Sequence, residues 1–410
     1  MGRRFLVVAA CALVCAGAAR PAPSAPGAVG GDPGVTDTSI AIGGTAALSG
    51  SESAYYTPIA KGAQAYFAYI NARGGVYGRK IDYKVENDAY DPAQTVQATR
   101  QLVEQDNVFA IFNSIGTEHM LAVRPYLNQA KVPQLFVATG ARKVFQGSKQ
   151  YPWTMAYLPS FFGEGALYGR YIAAHSSNAQ VAVLYENDDY GKDLRDGLRR
   201  GLHGKGKIVG SASYELTDAD MTAQIASLKA THANTLALFA QPKQVIQAFI
   251  AAYKLGWQPR YYVSAVSIDP FVMNVVASST SKKTTEGAIS AAFLKVATDP
   301  RLAKDKGARL YKSIIKSYCD GCDPNALAQI YGMAAAYTLV DALKHAGKNL
   351  TRASLVRAVT HLNETGNPFL QPGVTIKTSP TDYAAFEQMR MFRYHNGRWN
   401  AFGTVATVRP

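Results

Sequence analysis

Two short segments combine small residues with hydroxyl groups in the way that ligand-binding loops do. Gly116-Thr117 precedes an expected helix, and Ala138-Thr139 follows a short apolar strand. Free N–H groups at a helix start, together with a threonine hydroxyl, suit a bound carboxylate. Thr117 also fits the simpler role of a helix cap, and spacing alone favours neither role over the other.

Tyrosines near the first expected strand are a second candidate feature. Tyr55 and Tyr56 stand in the segment 48–57, which is interpreted as a loop after that strand. Aromatic rings at this place could cover the apolar part of a ligand. The chain has 24 tyrosines, however, so one exposed pair is weak evidence.

Catalytic and metal-binding motifs are missing from the sequence. It has no nucleophile elbow, zinc-protease helix, P-loop or dinucleotide fingerprint. The seven histidines are scattered, and only His119 adjoins the suspected ligand loop. Cys319 and Cys322 have no second Cys pair or nearby histidine, so a local disulfide, incidental to function, is favoured over a metal site. We therefore expect no enzyme activity, metal or cofactor.

Alternating strands and helices position these candidates. Strands are predicted at 39–46, 81–86, 108–112 and 134–137, and again at 180–185, 207–213, 235–239 and 261–264. Helices are predicted at 58–71, 92–105, 118–129, 162–174, 190–202, 221–230 and 242–255, followed by 303–318, 326–344, 350–360 and short terminal strands. This alternation indicates an α/β protein with two doubly wound parallel sheets.

The amino terminus reads as an export signal. Arg3-Arg4, the apolar run 5–14 and the small residues 16–19 predict a signal peptide over 1–19. The apolar run is too short for a membrane anchor, and lipid attachment at Cys11 is the less favoured alternative. Residues 20–35, rich in Pro, Ala and Gly, predict a flexible tether.

Charge gives little information about partners. The formal net charge is +14, or +12 without Arg3 and Arg4, but basic residues are scattered among acidic ones. The basic stripe typical of nucleic-acid binders is missing. We expect no nucleic-acid partner.

Several segments together resemble one family. The chain is similar to the Leu/Ile/Val-binding proteins, which are periplasmic substrate-binding proteins of ABC transporters. Each motif alone is weak, but their order is preserved over nearly the whole chain after the leader. The motifs are Ile40–Gly50, Lys61–Ala63, Ile70–Gly75, Asp88–Pro92, Val132–Gly140, Asn187–Gly191 and Thr378–Tyr383.

This resemblance implies a type I periplasmic binding fold, in which two lobes joined by a multi-strand hinge close over a ligand. Lobe 1 would comprise residues 36–158 and 293–380, and lobe 2 residues 159–292 and 381–410. Matched by position, the implied ligand-binding residues of lobe 1 are Tyr55, Gly116, Thr117, Ala138 and Thr139. Those of lobe 2 are Tyr190, Gln241 and Ser267, with Gln241 standing where the family has an aromatic contact.

One departure concerns the ligand. Amino-acid-binding members place an acid after the last strand of lobe 2, whereas Ser264–Ile268 contains none and Asp269 is the first to follow. A buried ammonium without a charged partner is costly. Either Asp269 reaches back, or the ligand lacks an α-ammonium, and we favour the second.

The resemblance implies an extracytoplasmic solute-binding subunit of an ABC importer, of the branched-chain amino acid transport type. We expect a periplasmic monomer that captures a small carboxylate or amino-acid-like ligand and delivers it to an inner-membrane permease. A ligand sensor of the same fold is the alternative. An enzyme built on the cleft is a further rival, which would need a nucleophile or metal.

Overall fold

The computed structural model describes Gly2 and residues 32–176 and 178–410. The predicted signal peptide, apart from Gly2, and most of the predicted tether lie outside the described residues. None of the described helices combines the length and hydrophobicity needed to cross a bilayer.

The first sheet contains five parallel strands. They are β1 (Ser39–Ala46), β2 (Lys80–Asn87), β3 (Ala110–Phe112), β4 (Gln134–Val137) and β5 (Thr154–Ala156), in the order β2-β1-β3-β4-β5. The helices between them are α1 (Ser53–Asn71), α2 (Pro92–Glu104), α3 (Thr117–Gln129) and α4 (Arg142–Gln146). Strands β3 and β4 are buried along their whole length, as expected for a parallel sheet covered on both faces.

A second alternating run follows. Its strands are β6 (Ala179–Glu186), β7 (Gly206–Tyr214), β8 (Thr235–Phe239), β9 (Arg260–Val263) and β10 (Ile289–Ala292). Its helices are α5 (Phe161–His175), α6 (Asp189–Leu202), α7 (Thr222–Ala230), α8 (Pro242–Lys254), α9 (Pro270–Ser279) and α10 (Lys282–Thr285). The paired strands of this run are all parallel.

The rest of the chain divides between the two sheets. It contains α11 (Lys306–Tyr318), α12 (Leu327–Ala346), α13 (Arg352–Val359), the small pair β11 (Asn363–Glu364) and β12 (Ile376–Lys377), and the hairpin β13 (Gln388–His395) and β14 (Arg398–Thr407). Helices α11 and α12 pack against α1. The hairpin extends the second sheet to the order β14-β13-β10-β9-β8-β6-β7, with β13 antiparallel to β10.

We call the first sheet with α1–α4 and α11–α13 lobe 1, and the second sheet with α5–α10 lobe 2. The chain passes between the lobes three times, at 157–160, 293–305 and 378–387. The predicted fold class, two doubly wound α/β lobes joined by a multi-segment hinge, is confirmed. Carboxyl ends of parallel strands from both sheets face the cleft, where α/β folds bind ligands.

Several predicted boundaries were wrong. Helix α1 begins at Ser53 rather than at residue 58, so Tyr55 and Tyr56 lie on a helix and not in a loop. The Glu52 carbonyl accepts hydrogen bonds from both tyrosine N–H groups, which starts the helix ahead of Pro58. Strand β5 and helix α9 were missed, and β13 and β14 are eight and ten residues long rather than short.

Helices α5 and α6 pack with their backbones in direct contact. A Cβ atom on Gly165 would overlap the Leu194 carbonyl, and one on Gly197 would overlap the Phe162 carbonyl. Glycine is therefore required at both positions, despite its low helix propensity. Both helices begin at the cleft, so this close packing fixes the residues at their amino ends relative to each other.

Candidate ligand-binding site

A cavity of about 450 Å³ lies between the lobes. Its size falls within the range of small-molecule sites, about 300–1,000 Å³. Lobe 1 contributes side chains from α1, from the loops after β2, β3 and β4, and from the start of α12, whereas lobe 2 contributes side chains from α5, α6, α8 and the loop after β9. Most of the lining is apolar or aromatic, and it includes Tyr55, Tyr56, Tyr90, Ile115, Gly116, Thr117, Ala138, Leu158, Phe161, Glu164, Tyr190, Gln241, Ala265, Phe271, Phe293 and Tyr331.

The start of α3 forms one wall. Gly116 precedes the helix with φ +106°, a conformation suited to glycine, and a Cβ there would overlap the His119 ring. No side chain of the described residues caps this helix end, which leaves its first N–H groups available to a ligand anion. Gly116, Thr117 and Ala138, three of the predicted ligand-binding residues, all line the cavity.

Thr139 lies behind this wall rather than in it. Its side chain is fully buried, and its Oγ1 lies 2.9 Å from Oγ1 of Thr117. Thr139 Oγ1 also accepts a hydrogen bond from the Ala141 N–H at 3.2 Å. The structure therefore gives Thr139 the role of orienting the Thr117 hydroxyl, without contact with the cavity.

The opposite wall is centred on Tyr190 at the start of α6. Its hydroxyl is 3.1 Å from the Ala240 carbonyl and 2.6 Å from Ser264 Oγ, and its ring packs edge-on against Phe161. Ser267, a predicted ligand contact, does not line the cavity. Its hydroxyl donates to the Ala240 carbonyl at 2.7 Å and is fully buried there.

Gln241 joins the lobes directly. Its Oε1 accepts a hydrogen bond from the Tyr56 hydroxyl of lobe 1, and its Nε2 donates to Glu186 Oε2 at 2.9 Å and to the Tyr90 hydroxyl at 3.3 Å. The Tyr56 and Tyr90 rings stack with centroids 4.8 Å apart. Burial raises the pKa of Glu186, and hydrogen bonds from Gln241 and Tyr214 only partly oppose this. Gln241 thus takes part in an interlobe network as well as lining the cavity.

Further contacts show that the cleft is closed. Asp269 of lobe 2 accepts hydrogen bonds from the Leu327 N–H at 2.8 Å and the Ala328 N–H at 3.3 Å, both at the start of α12 in lobe 1. Its other oxygen caps α9. Arg142 pairs with Asp193 across the cleft at 2.7 Å. Because both oxygens of Asp269 are engaged, this carboxylate does not supply the acid missing from Ser264–Ile268.

Tyr55 lies at the mouth of the cleft. Its ring centroid is 6.1 Å from that of Phe271, so an aromatic side chain from each lobe covers the opening. The loop between α11 and α12 lies nearby, because Gly321, Cys322 and Asp323 line the cavity. Cys319 and Cys322 form the predicted disulfide. The loop of this disulfide borders the cavity, and the expectation that the bond is incidental to function stays a prediction.

The sequence analysis missed Glu164. This residue lies in the first turn of α5, is only 2% exposed and lines the cavity. Its Oε1 accepts hydrogen bonds from the Ala265 N–H at 2.7 Å and the Tyr168 hydroxyl at 2.9 Å. Burial raises the pKa of Glu164 to about 7, against the lowering effect of these two donors. The one available signal was an acid within the otherwise apolar stretch 161–167.

Metal binding has no support in the described part of the chain. Within it, no group of three or more His, Cys, Asp or Glu side chains is arranged to hold a metal ion. His119 is buried with neither ring nitrogen hydrogen-bonded to a described residue, and its ring packs against Tyr90. The arrangement as a whole suits binding of a small organic ligand.

Comparisons with known proteins agree with this geometry. A family model described as a periplasmic binding protein matches residues 39–398. Leu/Ile/Val-binding protein homolog 1 of Brucella abortus (strain 2308) is 25% identical over 313 residues, which cover 74% of this chain and 77% of the relative. An amino acid binding protein of Pseudomonas aeruginosa is 24% identical over 326 residues, covering 76% and 79%.

Solved structures share the fold over nearly the whole length. A branched chain amino acid ABC transporter protein from Thermus thermophilus with bound valine has a TM-score of 0.79 at 18% identity, covering 91% of this chain and 97% of its own. A fatty acid ABC transporter substrate-binding protein from Thermomonospora curvata has a TM-score of 0.75 at 22% identity, covering 92% and 93%. A solute binding protein of an ABC transporter from Rhodopseudomonas palustris BisB5, in complex with 3,4-dihydroxy benzoic acid, has a TM-score of 0.76 at 19% identity, covering 92% and 99%.

Proposed function

This chain belongs to the periplasmic binding protein family, and on that premise we propose that it captures a small carboxylate with an apolar body between its lobes. The resemblance to Leu/Ile/Val-binding proteins is confirmed, as is the type I periplasmic binding fold. The family consists of extracytoplasmic substrate-binding proteins rather than enzymes.

Within this family we assign the chain to an ABC importer. It works as a monomer in the periplasm, reached through the predicted signal peptide, and its closed form delivers the ligand to an inner-membrane permease. The names of the related Thermus, Thermomonospora and Rhodopseudomonas proteins, each part of an ABC transporter, support this role. A closed shape that forms around the ligand is what a permease can recognise.

The observation that carries the proposed ligand class is the composition of the cavity walls. On lobe 1, the uncapped start of α3 and the Thr117 hydroxyl offer donors for an anion. Around them the lining is aromatic and aliphatic, from Tyr55, Phe161 and Tyr190 among others. Micromolar affinity needs about −8 kcal/mol, which several hydrogen bonds and burial of an apolar body can supply.

The compounds for which related proteins are named, or with which they were solved, fit this class. Valine, a fatty acid and 3,4-dihydroxy benzoic acid all carry a carboxyl group on a different apolar or aromatic body. A shared carboxylate wall with a variable opposite wall would explain that range. We infer that here, too, one wall binds the carboxylate and the opposite wall selects the rest of the ligand.

Substitution of Thr117 with valine is expected to weaken carboxylate binding at least about 10-fold, because the hydroxyl is lost while the side-chain shape is kept. A thermal-shift screen of aliphatic and aromatic carboxylates and amino acids identifies ligands for the unmodified protein. Titration calorimetry then compares their affinities for the variant.

Thr222→Val is the matched control, since Thr222 is also the first residue of a helix but lies exposed and away from the cavity. It should bind as the unmodified protein does. A screen without any stabilising carboxylate contradicts the proposed ligand class. Undiminished affinity in Thr117→Val contradicts the proposed position of the carboxylate.

A further inference from the structure

We propose that Glu164 is the specificity-determining acid of the cleft, which pairs with a positively charged nitrogen of the ligand. The inference rests on the proposed function and narrows its ligand class to carboxylates that also carry an ammonium. It replaces the preference, drawn from the loop Ser264–Ile268, for a ligand without an ammonium. The acid missing from that loop is supplied by another element.

The position of Glu164 is fixed by its helix. Ser160 caps α5 by accepting a hydrogen bond from the Gly163 N–H at 3.2 Å, and the glycine contacts with α6 hold the helix in place. From the first turn the Glu164 carboxylate reaches the Ala265 N–H. It therefore lies against the very loop that follows β9, although 101 residues separate the two in sequence.

Only one of the two carboxylate oxygens of Glu164 accepts hydrogen bonds from the described residues. Both of its hydrogen bonds, from Ala265 and Tyr168, go to Oε1. Among the described residues, no side chain or N–H group donates to Oε2, and no Lys, Arg or His forms an ion pair with Glu164. A buried carboxylate with a free oxygen and no positive partner is unfavourable, and this one borders a cavity. A ligand cation would donate a hydrogen bond to the free oxygen and would supply the missing positive charge.

Other charged groups around the cavity do not compete for this role. Asp269 is engaged with the starts of α9 and α12, and Asp323 and Lys61 lie exposed at the rim. The groups that face Glu164 are the hydroxyls of Tyr168 on its own helix and Tyr190 on α6. Both are uncharged at neutral pH, because burial raises the pKa of each well above the ordinary value of a tyrosine. A ligand cation at Glu164 would thus meet one negative charge.

Glu164 and the start of α3 lie on different lobes. An anion bound at Thr117 and a cation bound at Glu164 would therefore place one charged end of a zwitterion on each wall. Because burial raises the pKa of Glu164 to about 7, about half of the molecules carry the charge at pH 7, which lowers apparent affinity only about two-fold. A bound ammonium would favour the charged form, so binding would release a proton.

The test uses ligand pairs that differ only in the ammonium. Leucine is compared with 4-methylpentanoate, and phenylalanine with 3-phenylpropanoate, by titration calorimetry at pH 7 in two buffers of different ionisation enthalpy. The unmodified protein should bind the ammonium-bearing member at least about 10-fold tighter and release about half a proton. Glu164→Gln should reduce that preference about 10-fold or more and abolish the proton release.

Glu364→Gln is the matched control. Burial likewise raises the pKa of Glu364 to about 7, but Glu364 does not line the cavity, so ligand preference should persist in this variant. Equal binding of both members by the unmodified protein, or an unchanged preference in Glu164→Gln, overturns the role of Glu164 and leaves the proposed function intact. If no member of either pair binds, the role of Glu164 is contradicted, whereas the proposed ligand class is contradicted only by a carboxylate screen without a stabilising compound. The comparison of ligand pairs in the unmodified protein needs no variant, so equal binding of both members overturns the role of Glu164 even if Glu164→Gln folds poorly.

Discussion

Replacing Gly197 with alanine is expected to lower the melting temperature by about 2–4 °C, because the added methyl group cannot fit between α5 and α6. Its Cβ would meet the Phe162 carbonyl and, 3.0 Å away, the Ala166 backbone nitrogen. Backbone atoms cannot rotate aside as a side chain can, so the helices must separate. Overpacking of this kind typically costs 1–3 kcal/mol or more. Differential scanning calorimetry measures the shift.

The expected loss of stability is informative because a glycine-to-alanine substitution within a helix usually raises stability. In an open helix position, alanine is about 1 kcal/mol more favourable than glycine. Gly366→Ala serves as the control, since a Cβ there has no atom within 4 Å, and its melting temperature should barely change. A Gly197→Ala variant as stable as the unmodified protein would contradict the close helix contact. Weaker ligand binding is also expected, because α5 and α6 carry Glu164 and Tyr190.

Ligand-free protein is expected to lose several kcal/mol of its free energy of unfolding as pH rises from about 5 to about 8. Burial raises the pKa of Glu164 and Glu364 to about 7 and also raises that of Glu186. In the unfolded chain these groups ionise near pH 4.5. Between the two values the folded protein holds protons that the unfolded chain has released, so rising pH favours unfolding. The stabilisation is complete below about pH 4.5 and lost above about pH 7.

Urea unfolding at pH 5, 6, 7 and 8 measures this dependence. Each pKa unit corresponds to about 1.4 kcal/mol, so the trend exceeds the error of extrapolation. Glu364→Gln removes one titrating carboxyl and should flatten the curve. Stability that rises with pH over this window would show that these carboxyls are ionised in the folded protein.

Local patterns in the sequence were enough for the fold class and for several of the residues that line the cavity. The start of α3 at Gly116-Thr117 follows a short buried strand, and the predicted start of α6 at Tyr190 lies one residue after the observed one at Asp189. Each of these helix starts is indicated by residues within a few positions of it in the sequence. Side-chain direction at Thr139 and Ser267 was not predictable, because a hydroxyl at a strand end turns toward whichever acceptor the neighbouring loop provides.

Contacts distant in sequence account for what the sequence analysis missed. Glu164 became a site residue only because α5 lies against the loop after β9, and nothing in the stretch 160–168 indicates that neighbour. The strand β13 was likewise unexpected as an interior strand, since its partner β10 lies about a hundred residues earlier in the chain. The position of Tyr55 on α1 was missed for a local reason, because Pro58 resembled a helix start.

The arrangement of β13 and β14 has a consequence for biosynthesis. While the chain is being translated, β10 has an unpaired edge until Gln388 and the residues after it have been made. Lobe 1 also waits for α11 and α12, which pack against α1. Neither lobe can therefore complete its core until late in translation. A chain that ends before Gln388 is therefore expected to be a substrate for proteolysis rather than a smaller binding protein.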